Sequence, residues 1–549
     1  MRKFCLGFVA AKFLLLSLFA SPVLAADRLM LRLGPFQQSV NIADLDRFAK
    51  TGEISAALKP FSFLLTANLR NAFSQRLQID PNLTDRYLEN WLRSPMSETL
   101  IGNLRRAIPG VSIEQIQAAV SIAARQANGL NLIGLLRAIP GDTITLDATE
   151  AIALALQFNP SYWESQALGP LLKRELTVPS GEFRADFDPS ARGEERVFKE
   201  TISLTDRMRD RNIPVDIYYS RNTSGPLVVM SHGFGSDRTF LTYLARHLAS
   251  HGITVAAIEH PGSNFDFVSK ASLSGNPRDL MSANEFIDRP RDVSFLLDKL
   301  TQLNREPGIF QNKFNTQQTI ALGHSLGGYT ALALAGGELN LDDLRQTCNS
   351  LIGLNRRSTD RRNTSTSLAL IPSPGEWLQC AAADLSEDRI QLGDSRVVSA
   401  IALNPVVGNL FGKTGLRKVT IPTLVLASTE DAFTPVIPHQ LEPFRQIRGK
   451  KYLLTAIGAT HLSVGNPGSV NSQATLLKER IGEEAEPIRR LVRGVSLAFV
   501  KQVTPEANTY QPFLTPAYAQ SLSSPQMSLR LSQELPPVVF QWTKLAGLP

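Results

Sequence analysis

Residues 323–328 read Gly-His-Ser-Leu-Gly-Gly, and this stretch decides the fold of the chain. The apolar run Thr319–Leu322 precedes it, and the helix-forming run Tyr329–Ala335 follows it. A Gly-x-Ser-x-Gly motif between a strand and a helix puts the serine on a sharp turn, with its hydroxyl exposed at a helix N-terminus. The flanking glycines fit because a Cβ atom at either position would collide across that turn. The motif predicts Ser325 as a nucleophile; the alternative is a glycine-rich turn with a solvated serine.

Short apolar runs alternate with helical segments through the second half of the chain. Such a pattern predicts a mostly parallel sheet that is buried on both faces and flanked by helices. Together with the motif it predicts an α/β-hydrolase fold, whose active site lies at the C-terminal ends of the strands. The expected strands include the following runs: 217–219, 227–230, 255–258, 320–322, 398–403, 423–427 and 452–454.

A serine nucleophile needs a general base, because its hydroxyl is barely acidic near neutral pH. In α/β-hydrolases the triad follows the chain order Ser, acid, His. Of the seven histidines, only His439 and His461 follow Ser325. His461 lies in a loop after the last expected strand and is the predicted base, whereas His439 stands at an expected helix start.

The acid of the triad should follow the preceding strand, which ends near Ala427. Asp431 is the predicted acid, and it would fix the tautomer of His461 and stabilise its protonated ring. Glu430 is adjacent, and spacing alone does not exclude it.

An oxyanion hole needs two backbone donors that point at the developing negative charge. The amide of Leu326, directly after the nucleophile, is one expected donor. The amide of Phe234, in the glycine-rich loop after the run Val228–Ser231, is the other. His232 in the same loop is interpreted as a residue that shapes the loop.

The order of these segments resembles the platelet-activating-factor acetylhydrolases. The runs Val228–Thr239, Leu248–His260 and Arg291–Ser294 carry the resemblance, together with the elbow at 323–328. It extends over roughly residues 195–470 and implies the same catalytic triad and the same oxyanion donors as the spacing argument. It also implies a role in lipid catabolism, as a 1-alkyl-2-acetylglycerophosphocholine esterase-like enzyme.

The chain departs from that family in two places. Pro261 and Gly262 follow His260, where the family has an Arg-Asp type sequence. Residues 337–396 have the length of an insertion after the nucleophile helix, and we expect them to form a cap. The N-terminal part resembles the uncharacterised domain that precedes exported hydrolases of cyanobacteria.

The remaining sequence predicts an exported chain of several parts. Arg2 and Lys3, an apolar run at 13–20 and small residues at 23–25 are typical of a secretory signal peptide. We therefore expect a periplasmic or extracellular protein; an uncleaved anchor is the alternative. The expected parts are a signal peptide at 1–25, a mainly helical domain at 27–168, a linker at 169–192, the hydrolase domain at 193–503 and a C-terminal tail at 504–549.

Cys348 and Cys380 both lie in the expected insertion, and export permits a disulfide between them. Two free thiols are the alternative. The net charge of +7 is small for 549 residues and is compatible with peripheral contact with an anionic lipid surface. No basic run with interleaved aromatic residues supports nucleic-acid binding.

These patterns predict an exported serine esterase that cleaves small or lipid-derived carboxylic esters through an acyl-serine intermediate, without a metal or organic cofactor. A lipase for longer chains is the nearest alternative, with Phe265, Phe267 and Trp377 as candidates to line an acyl channel. A binding protein of the cell envelope with a vestigial hydrolase domain is an alternative of another class. The sequence does not indicate an oligomeric state.

Overall fold

The computed structural model describes residues 26–33, 36–59, 70, 107–112, 114–115, 118–119, 132–147, 160–179, 183–272, 277–351, 373–467 and 479–539. The predicted signal peptide at 1–25 lies outside these ranges. The chain divides into two compact units with a boundary at residues 155–156. Among the helices within the described ranges, none combines the length and apolar character that a membrane span requires.

The N-terminal unit contains a three-stranded sheet of order β2-β1-β3. β1 pairs with β2 in antiparallel fashion and with β3 in parallel. Leu29, Val40 and Ile144 of the three strands share one buried cluster. Helix α1 follows β2 directly, while much of the expected helical domain lies outside the described residues. The elements are β1 Arg28–Leu33, β2 Phe36–Asn41, α1 Ile42–Thr51, α2 Leu132–Ala138 and β3 Thr143–Asp147.

The second unit is built on a nine-stranded sheet of order β14-β13-β12-β11-β8-β6-β7-β5-β4. The six strands from β13 to β7 in that order run parallel, and antiparallel strands stand at both edges. All seven expected strands are present, which confirms the α/β-hydrolase fold class. The strands are β4 Phe198–Asp206, β5 Arg211–Tyr219, β6 Leu227–Ser231, β7 Val255–Ile258, β8 Thr319–His324, β9 Glu338–Asn340, β10 Arg389–Gln391, β11 Val397–Leu403, β12 Thr423–Ser428, β13 Lys451–Ile457 and β14 Ser528–Ser532.

Helices cover both faces of this sheet. Side chains alternate across each strand, so Ile320 and Leu322 of β8 join one core cluster while Ala321 joins another. The α-helices are α3 Pro160–Glu175, α4 Thr242–Ser250, α5 Phe265–Ser272, α6 Glu285–Arg305, α7 Leu326–Leu334, α8 Leu341–Leu351, α9 Pro374–Gln379, α10 Glu442–Gln446, α11 Glu486–Val500, α12 Ala507–Tyr510 and α13 Pro516–Ser521. Short 3-10 helices cover Pro277–Leu280, Cys380–Asp384, Gly415–Lys418, His461–Val464, Gly482–Ala485, Lys501–Val503 and Gln511–Leu514, and a π-helix covers Ile437–Leu441.

The linker expected at 169–192 is corrected by α3. This helix begins at Pro160, belongs to the second unit and continues to Glu175 with Pro170 in its interior. Leu168 and Leu172 recur at helical spacing and are fully buried in a core cluster of the hydrolase unit. The burial of this leucine stripe outweighs the proline and glycine that indicated a linker.

The tail expected after residue 503 also belongs to the hydrolase unit as far as residue 539. β14 pairs with β13 as the last strand of the large sheet. Tyr510, Phe513 and Tyr518 are buried in the main core cluster. Pro516 stands in the first turn of α13, where a missing amide hydrogen costs nothing.

The expected insertion at 337–396 forms β9, α8, α9 and β10, with residues 352–372 outside the described ranges. A disulfide joins Cys348 of α8 to Cys380, with Cα atoms 5.6 Å apart. Ser373 caps α9, and the amide of Gly375 donates to the carbonyl of Phe433 at 2.8 Å. The insertion therefore contacts the loop that carries Asp431.

Candidate active site

Ser325 occupies a strained turn between β8 and α7. Its φ of 56° and ψ of −118° put a non-glycine residue in a sparsely populated region of backbone space. Its amide donates to the carbonyl of Leu403 at 2.9 Å, and its carbonyl accepts from Val406 at 3.0 Å. A Cβ atom at Gly323 would collide with the carbonyl of Gly327, as the sequence predicts. Neighbouring backbone thus enforces the turn that presents this serine.

Asp431 and His461 form a fully buried pair beyond the ends of β12 and β13. The Nδ1 atom of His461 lies 2.7 Å from Oδ2 of Asp431, which makes Nδ1 the protonated nitrogen. The other carboxylate oxygen accepts from the amides of Phe433 and Thr434 at 2.9 and 2.7 Å. Thr434 Oγ1 also donates to Oδ2 at 2.7 Å. Fixed donors therefore hold the carboxylate in the orientation that the imidazole needs.

The second ring nitrogen of His461, Nε2, can act as a base. Its buried Nε2 atom has no hydrogen-bond partner among the described residues. The ring of Phe433 stacks on it, with centroids 5.1 Å apart. With Nδ1 protonated, Nε2 carries the lone pair that can accept a proton from a serine hydroxyl.

The backbone of the base is attached to the nucleophile turn. Nε2 of His324, the residue before Ser325, lies 2.9 Å from the carbonyl oxygen of His461, and the two rings have centroids 4.6 Å apart. Asn404 donates to the same carbonyl oxygen at 3.2 Å. Burial lowers the pKa of His324 well below its usual range, so this ring is a neutral support. These contacts bring the predicted nucleophile and the predicted base to one place.

The alternative residues take other positions. Glu430 is half-exposed, and its carboxylate lies 3.3 Å from Nη2 of Arg480 instead of on a histidine. His439 accepts from the amide of Val407 at 3.1 Å, and burial lowers its pKa to about 3. The contacts therefore favour Asp431 over Glu430 and His461 over His439.

The expected oxyanion loop lies directly against the nucleophile. A Cβ atom built on Gly233 would stand 3.1 Å from the Cβ of Ser325, and one on Gly327 would collide with the carbonyl of Ser231. Leu326 begins α7, where a first-turn amide has no partner within its own helix. Phe234, the other expected donor, packs against the core cluster that contains Leu326. His232 accepts from the amide of His260 at 3.0 Å, in keeping with a residue that shapes the loop.

A buried polar network supports this loop from behind, and sequence reasoning missed it. Arg289 is fully buried and donates to the carbonyl of His232, to Ser231 Oγ at 3.1 Å and to Ser263 Oγ at 2.7 Å. It also reaches Thr330 of the nucleophile helix at 3.2 Å. Burial lowers the pKa of Arg289 to about 10. The arginine adjoins the family-like run at 291–294, a signal that could have identified it.

Two further groups at the site have weaker sequence signals. Asn404 adopts a φ of 43° directly after β11 and holds the carbonyl of His461. Glu479 accepts from the amide of Leu462 at 2.9 Å, next to the base. Neither residue belongs to a motif, and only the tertiary structure brings them to the triad.

Comparison with known families adds two matches. Residues 228–473 match the alpha/beta hydrolase family, and residues 25–147 match a family described as alpha/beta hydrolase of unknown function. No curated protein matches the chain. The first match covers the parallel strands of the sheet, the elbow, the predicted acid and the predicted base, so this part of the chain is an α/β-hydrolase domain.

Proposed function

We propose that the protein is an exported serine hydrolase that cleaves carboxylic esters through an acyl-serine intermediate. Ser325 is the nucleophile, His461 the base and Asp431 the residue that orients the base. The observation that carries the proposal is the strained Ser325 with a buried His461–Asp431 pair that His324 ties to the same turn. Nε2 of this histidine has no hydrogen-bond partner within the described parts of the chain.

The proposed reaction begins when Ser325 Oγ attacks the acyl carbon and its proton passes to Nε2 of His461. The amides of Phe234 and Leu326 donate to the oxyanion of the tetrahedral intermediate. His461 then returns the proton to the leaving alcohol as the acyl–oxygen bond breaks, and the acyl group stays on Ser325. A water molecule, deprotonated by the same histidine, releases the acid and restores the serine.

The proposed substrates are small or lipid-derived esters, and this part of the proposal depends on the resemblance to platelet-activating-factor acetylhydrolases. Export depends on the signal-peptide pattern at 1–25, and the disulfide between Cys348 and Cys380 is compatible with it. We also propose that the protein makes peripheral contact with membrane lipid.

A fluorophosphonate serine probe tests the nucleophile. We expect the mature protein to be labelled on Ser325, as located by mass spectrometry, and the label to disappear in Ser325→Ala. Ser386→Ala removes an exposed serine and is the matched control, which should label like the wild type. A folded wild type that stays unlabelled would contradict the proposal and favour a vestigial hydrolase domain.

A series of p-nitrophenyl esters of increasing acyl length then tests the substrate class. Highest kcat/KM on acetyl and other short chains is the expected result. A maximum on long chains would favour the lipase alternative.

A further inference from the structure

The turn that carries His461 is held by a two-residue segment from elsewhere in the hydrolase unit. The amide of Leu462 donates to Oε2 of Glu479 at 2.9 Å. The amide of Arg480 donates to Thr460 Oγ1 at 2.9 Å, and Ser463 Oγ donates to the carbonyl of Arg480 at 2.9 Å. Glu479 and Arg480 therefore contact the base turn on both sides of His461.

The same segment reaches the acid loop. The guanidinium of Arg480 lies 3.3 Å from the carboxylate of Glu430, the residue before Asp431. Arg480 thus pairs with Glu430, and Glu479 forms no ion pair with a lysine or arginine in the described parts of the chain. Glu479 is half-buried, and a partly desolvated carboxyl group without a cation is costly when it is ionised, unless the site gains from its charge.

The ionisable groups around Glu479 are those of the active site. Burial raises the pKa of Glu479 to about 7, Asp431 acts in the same direction, and His461 and the hydrogen bonds at Thr460 and Leu462 act against it. The phenol of Tyr162 in α3 also faces Glu479. Burial, together with the carboxylates of Glu430, Asp431 and Glu479, raises the pKa of Tyr162 far above neutrality. Glu479 therefore changes charge in the pH range in which a histidine base works.

We propose that Glu479 is a positioning residue of the hydrolase: it holds the turn of His461, and its negative charge stabilises the protonated imidazole that forms when Ser325 attacks. This inference rests on the proposed function. His461 then has two carboxylates near it, Asp431 in direct contact at Nδ1 and Glu479 across the turn. A favourable interaction of this kind exists only while the ring is charged, so it acts on the transition state and on kcat rather than on substrate binding.

The direction with pH follows from the charge of Glu479. Above about pH 7 the carboxylate is ionised and assists catalysis, and below that pH it is neutral and gives no electrostatic assistance. A purely structural carboxyl group would affect activity alike at every pH. The pH dependence therefore separates the two roles.

The decisive experiment compares kcat and KM of the wild type, Glu479→Gln and Glu483→Gln across neutral pH. A glutamine at 479 retains an oxygen for the Leu462 amide and removes only the charge, and Glu483 is an exposed carboxylate nearby that serves as the matched control. For Glu479→Gln we expect kcat to fall about tenfold on the alkaline side, with KM unchanged and the difference vanishing on the acid side. Glu483→Gln should follow the wild-type profile.

Equal profiles for Glu479→Gln and the wild type would overturn the inference, as would a loss of the same size at every pH. If Glu479→Gln does not fold, infrared difference spectra of the wild type with isotope-labelled glutamate test the inference instead. A glutamate carboxyl that ionises near neutral pH supports the inference, and its absence overturns it. Fluorophosphonate labelling of wild-type Ser325 runs in parallel, because its failure contradicts the proposed function, whereas labelling with unchanged pH profiles contradicts only the role of Glu479.

Discussion

Among the described residues of the hydrolase unit, two buried sets each combine a serine, a histidine and an aspartate. The set of Ser325, His461 and Asp431, which we propose as catalytic, differs from the second set in its surroundings. In the second set, Ser231 Oγ lies 2.9 Å from Nε2 of His260, whose Nδ1 lies 3.0 Å from Oδ2 of Asp292. These distances lie in the hydrogen-bond range that a nucleophile, a base and an orienting acid also require. The presence and spacing of the three residue types therefore do not define a catalytic site.

The surroundings of the two histidines differ. Burial and the nearby guanidinium groups of Arg289, Arg211 and Arg209 lower the pKa of His260 well below its usual range. The carboxylate of Asp292 forms ion pairs with the guanidinium groups of Arg209 and Arg211, each at 2.8 Å. In contrast, Asp431 accepts from backbone amides, a threonine and His461, with no arginine in contact among the described residues. A base must accept a proton, so a ring next to three guanidinium groups is unsuitable.

The serines differ as well. Ser231 ends a regular strand, and its oxygen already accepts from Arg289 at 3.1 Å. Ser325 stands on the strained turn at positive φ, where the oxyanion loop meets the first residue of α7. Backbone geometry and local charge together separate the catalytic set from the structural one.

Replacement of the two serines should give the largest contrast. We expect Ser325→Ala to lower kcat on a p-nitrophenyl ester by roughly a thousandfold or more, because the covalent step is lost. Ser231→Ala should keep kcat within about tenfold and lower the free energy of unfolding by about 1–3 kcal/mol, since it leaves buried donors without an acceptor. Steady-state kinetics and urea unfolding measure the two effects. Abolished turnover in a well-folded Ser231→Ala would reverse the assignment of the two sets.

Replacement of Asp431 should mainly lower activity, whereas replacement of Asp292 should mainly lower stability. Asp431→Asn is expected to lower kcat by up to about 10⁴-fold with near-normal stability, because an asparagine favours the wrong imidazole tautomer. Asp292→Asn should instead destabilise the fold by about 3–5 kcal/mol, since it leaves Arg209 and Arg211 without their buried partner. The same kinetic and unfolding measurements apply. A stable, active Asp292→Asn would show that the arginine network does not need its carboxylate.

Sequence reasoning selected the residues of the proposed catalytic set, and it selected almost none of the structural set. The Gly-x-Ser-x-Gly motif and the chain order restricted the choice to Ser325, Asp431 or Glu430, and His461 or His439. The choice within each pair depends on contacts between distant segments, such as Arg480 with Glu430. Local spacing contains no information on such contacts.

The domain boundaries were missed for a related reason. Pro170 indicated a linker, but the burial of Leu168 and Leu172 against the sheet decides that this stretch is helical. Strand β14 has no helix-crossover pattern, because it joins the sheet edge in antiparallel fashion. Glu479 belongs to no motif, and only the fold brings its carboxyl group to the turn of His461.

Arg289 connects the structural network to the catalytic set, and its replacement should have an intermediate effect. Without this guanidinium the carbonyl of His232 loses its donor and the oxyanion loop its fixed position, so we expect Arg289→Met to lower kcat about ten- to a hundredfold. Arg289→Lys should not restore activity, because one ammonium group cannot reach the separate acceptors that the planar guanidinium serves. Arg209→Lys is the control. The Arg209 side chain forms ion pairs with Asp206, Asp288 and Asp292 and makes no contact with the oxyanion loop among the described residues. Full activity in both Arg289 variants would contradict this link.

The smallest expected effect is the pH dependence that His260 gives to stability. The folded protein keeps this ring neutral, whereas the unfolded chain protonates it below its ordinary pKa of about 6.5. The unfolded state therefore binds the extra proton, and the free energy of unfolding falls as the pH drops below about 6.5, by up to about 1.4 kcal/mol per pH unit for this one group. Urea unfolding at successive pH values should show a shallower fall for His260→Gln than for the wild type. His251→Gln, at a half-exposed ring, should change the slope less. Equal slopes for wild type and His260→Gln would mean that burial and the arginines do not keep His260 neutral.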